Sequence, residues 1–304
     1  MSNPSAKSQP LHPGPEHRGG PYRWLLVDVD GTLLDSRGGV SGRTLAALHR
    51  AVAEGMTLVL ATGRTYPSLV RVTAPLDLPP FAIITNGGAV GLTPGGRAVG
   101  YTRFLAPELW PRIVAGLRQE GLSPAVYQHR HPDPLLIHVA GENGDPHFEA
   151  YLGRHRAHVR VNPALEQTTI PDVVQVAALG RGEDFDQASA RVLRRFGDQT
   201  RCHSMVLFIN ADYGRITEFF SPEVSKWRAF QGLFPGARAQ EVVAVGDEAN
   251  DLEMIGAAGV GIAMGNATPE LKAAADRVTA SHDEEGLAQA LEALLNGGGA
   301  APGR

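Results

Sequence analysis

What most constrains this chain is an alternation of short apolar runs with helical periods that stops at Gly88 and resumes after Pro222. Trp24-Leu25-Leu26-Val27 is a continuous apolar run, the pattern of a strand buried on both faces. Ser41 can cap a helix bearing Leu45, Leu48 and Val52 until Gly55 ends it, and Thr57-Leu58-Val59-Leu60-Ala61 reads as a second buried strand. A helix over roughly 65–73 and the strand Phe81-Ala82-Ile83-Ile84-Thr85 repeat the unit. Repeated βαβ units demand a parallel sheet with right-handed crossovers, so the carboxyl ends of the strands share one edge.

From Gly88 the character changes. Ala89-Val90-Gly91-Leu92, a Pro94-Gly95-Gly96 turn and Ala98-Val99-Gly100-Tyr101 look like a β-hairpin that opens an insertion. Inside it the pattern predicts helices near 107–119 and 185–196 and strands near 125–128, 135–140, 173–178, 205–210 and 215–220, the last two flanking a turn at Asp212-Tyr213-Gly214. After Pro222 come a helix over 224–233, the strand Val242-Val243-Ala244-Val245, a helix from Asn250 and the strand Gly261-Ile262-Ala263-Met264. The expected fold class is α/β: a doubly wound parallel-sheet, Rossmann-like core over residues 21–87 and 222–296, with an inserted α+β cap over 88–221. Residues 1–20 and 297–304, rich in proline, glycine and small side chains, are expected to be a disordered tail and a flexible tail.

Composition narrows the partners. A formal net charge of -4 over 304 residues supplies no basic field for nucleic acid. The single cysteine, Cys202, excludes an internal disulfide and the paired-cysteine zinc patterns, and suits a reducing cytoplasm. No apolar run has the length of a membrane span or of a signal-peptide core, so no membrane partner is expected. No pattern in the chain assigns an oligomer interface.

Polar residues that carry chemistry sit where the apolar strands end: Asp28 and Asp30, Thr62 in Ala61-Thr62-Gly63-Arg64, Asn86, and Asp247 in Gly246-Asp247-Glu248-Ala249-Asn250-Asp251. Open parallel sheets bind ligands at that edge. Asp28 and Asp247, with Asp251 a further candidate, would place hard oxygens in one cleft, where they repel unless a cation such as Mg²⁺ lies among them. With the charge neutralised, Asp28 can attack phosphorus, and Gly31 lets backbone N–H groups approach the phosphoryl oxygens. Asp30, of the same strand parity, can protonate a leaving oxygen and then activate water. Thr62 and Lys226 can hold the charge spread over a phosphoryl transition state.

These motifs, in this order, resemble those of the haloacid dehalogenase superfamily of phosphotransferases: Asp-x-Asp-Gly-Thr at 28–32, Thr62, Lys226, and Gly-Asp-x-x-Asn-Asp at 246–251. Thr85-Asn86-Gly87-Gly88, Gly261-Ile262-Ala263-Met264-Gly265-Asn266-Ala267 and Ala275-Asp276-Arg277-Val278-Thr279 are similar to the Cof-type branch (subclass IIB), whose members carry a large α/β cap. The likeness spans about residues 22–295. It implies a Mg²⁺-dependent phosphatase forming a phosphoaspartyl intermediate on Asp28. Catalysis would fall to Asp28, Asp30, Thr62 and Lys226, and phosphate contacts to Gly31, Thr62, Gly63, Lys226 and Asn250. Metal ligation would come from Asp28, Asp30, Asp247 and Asp251. The implied substrate is a small phosphorylated metabolite, with sugar phosphates in view. Phosphotransfer to an acceptor hydroxyl, and a non-catalytic module that binds a phosphorylated ligand, are the alternatives.

The chain departs from the family pattern at Glu223 and Trp227, where glycines usually flank the Val-Ser-Lys turn, and at Glu248, where a small residue is usual. Arg64 reads either as a phosphate contact or as a carboxylate partner, and Asn86 either as a strand-end cap or as a substrate contact. Seven of the eleven histidines (His129, His131, His138, His147, His155, His158 and His203) fall in the insertion, but their irregular spacing favours surface or core positions over a metal site. Trp110, Tyr127 and Trp227 read as packing before pocket wall.

Overall fold

The computed structural model describes residues 21–94, 98–130, 135–141, 145–209 and 212–297. The expected tails over 1–20 and (Gly297 apart) 297–304, Asn210 of the strand expected near 205–210, His131, and the turn glycines Gly95 and Gly96 lie outside these residues, as does the His147 side chain. The chain begins β1 (Trp24–Asp28), α1 (Gly42–Ala53), β2 (Thr57–Ala61), α2 (Tyr66–Thr73), β3 (Phe81–Thr85), β4 (Val90–Leu92) and β5 (Val99–Thr102). It continues α3 (Trp110–Gln119), β6 (Pro124–Gln128), β7 (Leu136–Val139), α4 (Pro146–Arg154), β8 (Val159–Val161), β9 (Val173–Gly180), α5 (Gly182–Phe196), β10 (Arg201–Ile209) and β11 (Asp212–Phe220). It closes with α6 (Lys226–Leu233), β12 (Val242–Gly246), α7 (Leu252–Ala257), β13 (Val260–Ala263), α8 (Pro269–Ala274), β14 (Arg277–Val278) and α9 (Gly286–Leu295).

One sheet has the strand order β14-β13-β12-β1-β2-β3-β4-β5. From β14 to β3 neighbouring strands are parallel. β1 is central and buried on both faces, which is why Leu25, Leu26 and Val27 form an unbroken apolar run. Ser41 caps α1, its Oγ accepting from Thr44 N–H at 3.1 Å, and Ala47, Leu48 and Ala51 turn the helix toward the sheet.

The hairpin does not open a separate unit as expected. β4 pairs antiparallel with β3, Ile83 opposite Leu92 and Thr85 opposite Val90, and β5 follows β4, so both extend the first sheet. Sheet membership is decided by backbone hydrogen bonds along an edge, which side-chain patterns do not record.

The second sheet has the order β10-β11-β9-β6-β7-β8 and is antiparallel except for β7 with β8. One face packs Val126, Val176, Ala178 and Phe219 against Ile113 and Leu117 of α3 and Phe185 and Phe196 of α5. Residues of the other face, including Tyr127, Ala177, Ile216 and Phe220, share an apolar cluster with the first sheet. The expected turn at Asp212-Tyr213-Gly214 is strand instead, with Asp212 opposite Ile209 and Gly214 opposite Leu207. α4 and β8 were not expected; β8, three residues long, is too short to show an alternation. Among the described residues no helix is long and apolar enough to cross a membrane.

Candidate active site

Parallel register assembles the site. Asp28 ends β1 opposite Ala61 of β2, and Val27 lies opposite Val245 of β12, so Thr62 and Asp247 emerge beside Asp28. Lys226 enters from the start of α6, where Ser225 Oγ accepts from Arg228 N–H at 3.1 Å and fixes the first turn. That turn lies against Gly88, whose φ is +110° and where a Cβ would stand 2.2 Å from the Ser225 carbonyl oxygen. Only glycine combines that backbone angle with that closeness.

Lys226 Nζ donates to Asp28 Oδ1 at 2.6 Å, to Asp251 Oδ1 at 2.6 Å and to Asn250 Oδ1 at 3.2 Å, with its side chain 1% exposed. Asp28, Asp247 and Asp251 each offer an oxygen within 4.8 Å of the others. Three carboxylates therefore face one ammonium in a buried space. Burial raises the Asp28 carboxyl well above its ordinary value; Lys226 opposes this, and Asp251, Asp247 and Asp30 add to it. Burial, then Asp251 and Glu248, push Asp247 up to about 7. Burial opposes the charge on Lys226, but Asp251 and Asp28 outweigh it and hold the lysine above its ordinary value. An excess of buried negative charge on hard oxygens is the environment a divalent cation relieves, so the cluster fits a metal site.

Within the cluster the carboxylates differ. Both oxygens of Asp251 are committed, Oδ1 to Lys226 and Oδ2 to the backbone N–H groups of Asp247 at 3.0 Å and Glu248 at 3.1 Å. Asp251 thus also organises the loop, while remaining one of the three carboxylates, with Asp28 and Asp247, that could hold a cation.

The Asp30 side chain stands apart from that cluster. Arg64 grips it with a two-pronged contact, Nε to Oδ2 at 2.8 Å and Nη2 to Oδ1 at 2.6 Å, and its side chain is 54% exposed, outside the carboxylate cluster. The pairing supplies the carboxylate partner that one of the two readings of Arg64 expected. Two parallel N–H···O bonds to a carboxylate are the geometry a guanidinium favours.

Gly31 has φ +74°, and a Cβ there would stand 2.1 Å from Asp247 Oδ2, so the loop after β1 can approach Asp247 only as glycine. Thr62 is fully buried, and its Oγ1 accepts from Arg64 N–H at 3.0 Å, leaving the hydroxyl proton to donate. At Gly63 a Cβ would meet only the Met205 methyl, at 3.9 Å.

Asn266 and Thr32 belong to the sequence motifs but had no expected role. Asn266 Nδ2 donates to the Gly31 carbonyl at 2.9 Å and to Asp247 Oδ2 at 3.1 Å, while its Oδ1 accepts from His282 N–H at 3.0 Å. Thr32 Oγ1 donates to Asp247 Oδ1 at 3.4 Å. The signal for Asn266 was its place just past the apolar strand β13, the rule that had picked out the other strand ends.

The departures near Lys226 are absorbed. Glu223 points outward to Arg103 at 3.0 Å, and Trp227 turns into the core and stacks on Phe230 with ring centres 5.4 Å apart. Glu248 is exposed and its backbone N–H goes to Asp251. Asn86 neither caps its own strand nor faces outward: its Nδ2 donates to Gln175 Oε1 of β9 at 2.8 Å.

β10 of the second sheet lies over the edge. Arg201 pairs with Glu253 of α7 at 3.4 Å, Met205 reaches Gly63, and between them His203 stands within electrostatic reach of Lys226 and Asp251. Burial first, then Arg201 and Lys226, lower His203 to about 4, so its imidazole is neutral at pH 7. Elsewhere in the insertion His138 bonds to Gln128 at 2.9 Å and His155 packs against Tyr151. Trp110 is buried against α5, and the buried Tyr127 hydroxyl donates to Tyr151 at 2.9 Å.

A family profile described as haloacid dehalogenase-like hydrolase matches residues 25–291. Phosphatase YwpJ of Bacillus subtilis is 27% identical over 293 residues, covering 89% of this chain and 99% of the relative. The 5-amino-6-(5-phospho-D-ribitylamino)uracil phosphatase YwtE of Bacillus subtilis is 27% identical over 290 residues, covering 90% and 98%. A solved haloacid dehalogenase-like hydrolase from Bacteroides thetaiotaomicron superposes with a TM-score of 0.69 at 25% identity, covering 89% of this chain and 98% of its own.

Proposed function

This chain belongs to the haloacid dehalogenase-like hydrolases, in their Cof-type branch, and is a phosphatase; we propose that it hydrolyses a small phosphomonoester with Asp28 as nucleophile and Mg²⁺ as cation. The observation that carries this reading is the buried Lys226 bonded at 2.6 Å to Asp28 within a cluster of three carboxylates at the sheet edge. Asp28 and Asp247 would hold the Mg²⁺, which supplies the positive charge that lets an anionic carboxylate approach an anionic phosphate.

Asp28 Oδ2, the oxygen that Lys226 does not engage, attacks phosphorus as the ester P–O bond breaks. The leaving oxygen takes its proton from Asp30, which must first give up part of its contact with Arg64. The Thr62 hydroxyl and Lys226 Nζ hold the equatorial oxygens, and the Gly31 turn presents backbone N–H groups. Water then attacks phosphorus, passing a proton to the Asp30 carboxylate. The acyl phosphate bond breaks, inorganic phosphate leaves, and Asp28 is restored.

For the leaving group, a sugar or polyol is favoured by two considerations. The relative YwtE is named for a substrate that carries its phosphate on a ribityl chain. The cations nearest the edge are already engaged: Arg64 with Asp30, Arg201 with Glu253, and Lys226 with its carboxylates. A leaving group bearing a second phosphate would find little there to neutralise it.

Phosphate release from an aryl phosphate and from sugar, nucleotide and cofactor phosphates, with Mg²⁺ or chelator, tests the reading. Release should need both Mg²⁺ and Asp28, with Asp28→Asn at least ~10³-fold slower. Equal release by Asp28→Asn sinks the nucleophile assignment. Transfer to an added sugar hydroxyl outrunning release to water would make the protein a phosphotransferase.

A further inference from the structure

Behind the edge runs a line of buried side chains that the reaction above does not use. Asn86 follows β3 with φ 50°, in the left-handed region. Its backbone is laced to the loop after β2: Asn86 N–H donates to the Arg64 carbonyl at 2.9 Å, and Gly87 N–H to the Thr62 carbonyl at 3.1 Å. Its side chain crosses to the second sheet and donates to Gln175 Oε1 at 2.8 Å, and Gln175 Nε2 donates to Glu218 Oε1 of β11 at 2.6 Å. All three are buried, at 3%, 1% and 5% exposure in that order. Gln175 thus bridges Asn86 to Glu218 with a hydrogen bond at each end of its amide.

Among the described residues no cation pairs with Glu218. The titratable side chains around it are Tyr127 on β6, Tyr151 on α4 and its register partner His203 on β10. Burial pushes its carboxyl up to about 8, against a smaller opposing effect of the Gln175 hydrogen bond. At neutral pH the group keeps its proton and still accepts from Gln175 through its other oxygen. Once ionised it is a buried anion without a counter-charge, a state relieved when the second sheet withdraws and admits water.

We propose that Glu218 and Gln175 are positioning residues: acting through Asn86, they hold the Thr62–Arg64 loop in place while the second sheet is seated on the edge. Seating and loop geometry are thereby coupled. The activity readout rests on the phosphatase reading; the stability readout does not.

The test compares Asn86→Ala, Gln175→Leu, their double variant and Glu218→Gln with wild type on an aryl phosphate with Mg²⁺. Each of Asn86→Ala and Gln175→Leu should lose about tenfold in kcat/KM, and the double variant no more than either alone, as links of one chain behave. Glu218→Gln can still accept from Gln175 but cannot ionise, so it should keep wild-type activity below pH 8 and lack the wild-type decline above it. In thermal unfolding, the folded wild type retains a proton that the unfolded chain releases above the ordinary value of 4.5. Its stability should therefore fall as pH rises from about 4.5 to about 8, more steeply than that of Glu218→Gln. Multiplying losses in the double variant, or a Glu218→Gln variant with wild-type pH profiles in both activity and melting, would overturn the relay. If Gln175→Leu does not fold, Glu218→Gln decides alone. If wild type releases no phosphate, the phosphatase reading fails, and the melting comparison still decides whether Glu218 holds its proton.

Discussion

The edge of the first sheet and the face of the second that meets it handle polarity in opposite ways. At the edge, charge is concentrated: Asp28, Asp247 and Asp251 surround Lys226, with the Asp30–Arg64 pair at the rim. On the opposing face, apart from Arg201, whose charge Glu253 meets, Gln175, Tyr127, a proton-bearing Glu218 and a neutral His203 are uncharged at pH 7. The first arrangement can carry out phosphoryl transfer, which moves charge. The second can close over it without adding counter-charges that compete with the cation. The division predicts that changes at the edge cost chemistry and metal dependence, whereas changes on the opposing face cost discrimination between substrates.

Removing the ammonium should have the largest effect. In Lys226→Met the carboxylates lose the cation that pairs with them among the described residues, so kcat should fall by roughly 10²–10³. The metal-free protein should lose about 3–5 kcal/mol of stability, the usual cost of leaving buried charges unpaired. Thermal unfolding with and without Mg²⁺ checks this, since a bound cation should restore part of the loss. A variant as stable as wild type in chelator would mean that the edge is less charged than its geometry implies. Asp247→Ala should act next most strongly, raising the half-saturating Mg²⁺ concentration by at least about tenfold, the low end for disturbing a metal site. A Mg²⁺ titration identical to wild type would remove Asp247 from the metal site.

How much of this could be read from the chain follows from what each contact depends on. The strand ends bearing Asp28, Thr62 and Asp247 were legible, because a parallel sheet covered on both faces demands apolar runs and a shared polar edge. Lys226 was legible only as part of the ordered motif set. The grip of Arg64 on Asp30 and the bond from Asn86 to Gln175 were not, since they join residues 34 and 89 positions apart through side-chain orientation. The placement of β4 and β5 was hidden for a different reason: an edge strand is recruited by backbone groups common to every residue. The opposing face was the least legible part. Its members alternate with core residues along β9, β10 and β11, and alternation alone does not say which side meets a ligand.

His203 offers the finest test of the division, with the smallest expected effect. Its position on β10, between Arg201 at α7 and Met205 at Gly63, sets it over the cleft, and its imidazole is partly exposed there. Being neutral, it can offer a ring N–H or a lone pair to a hydroxyl but adds no charge to the phosphoryl site. His203→Ala should therefore lower kcat/KM for sugar phosphates by roughly tenfold, the scale on which a lost hydrogen bond shows in discrimination. Hydrolysis of an aryl phosphate, which has no hydroxyl to lose, should change by less than about threefold. The measurement is the ratio of the two kcat/KM values in wild type and variant at one Mg²⁺ concentration. A parallel fall for both substrates would place His203 with the charged edge, supporting Lys226 and Asp251, and would break the separation of chemistry from recognition at the residue where the two regions come closest.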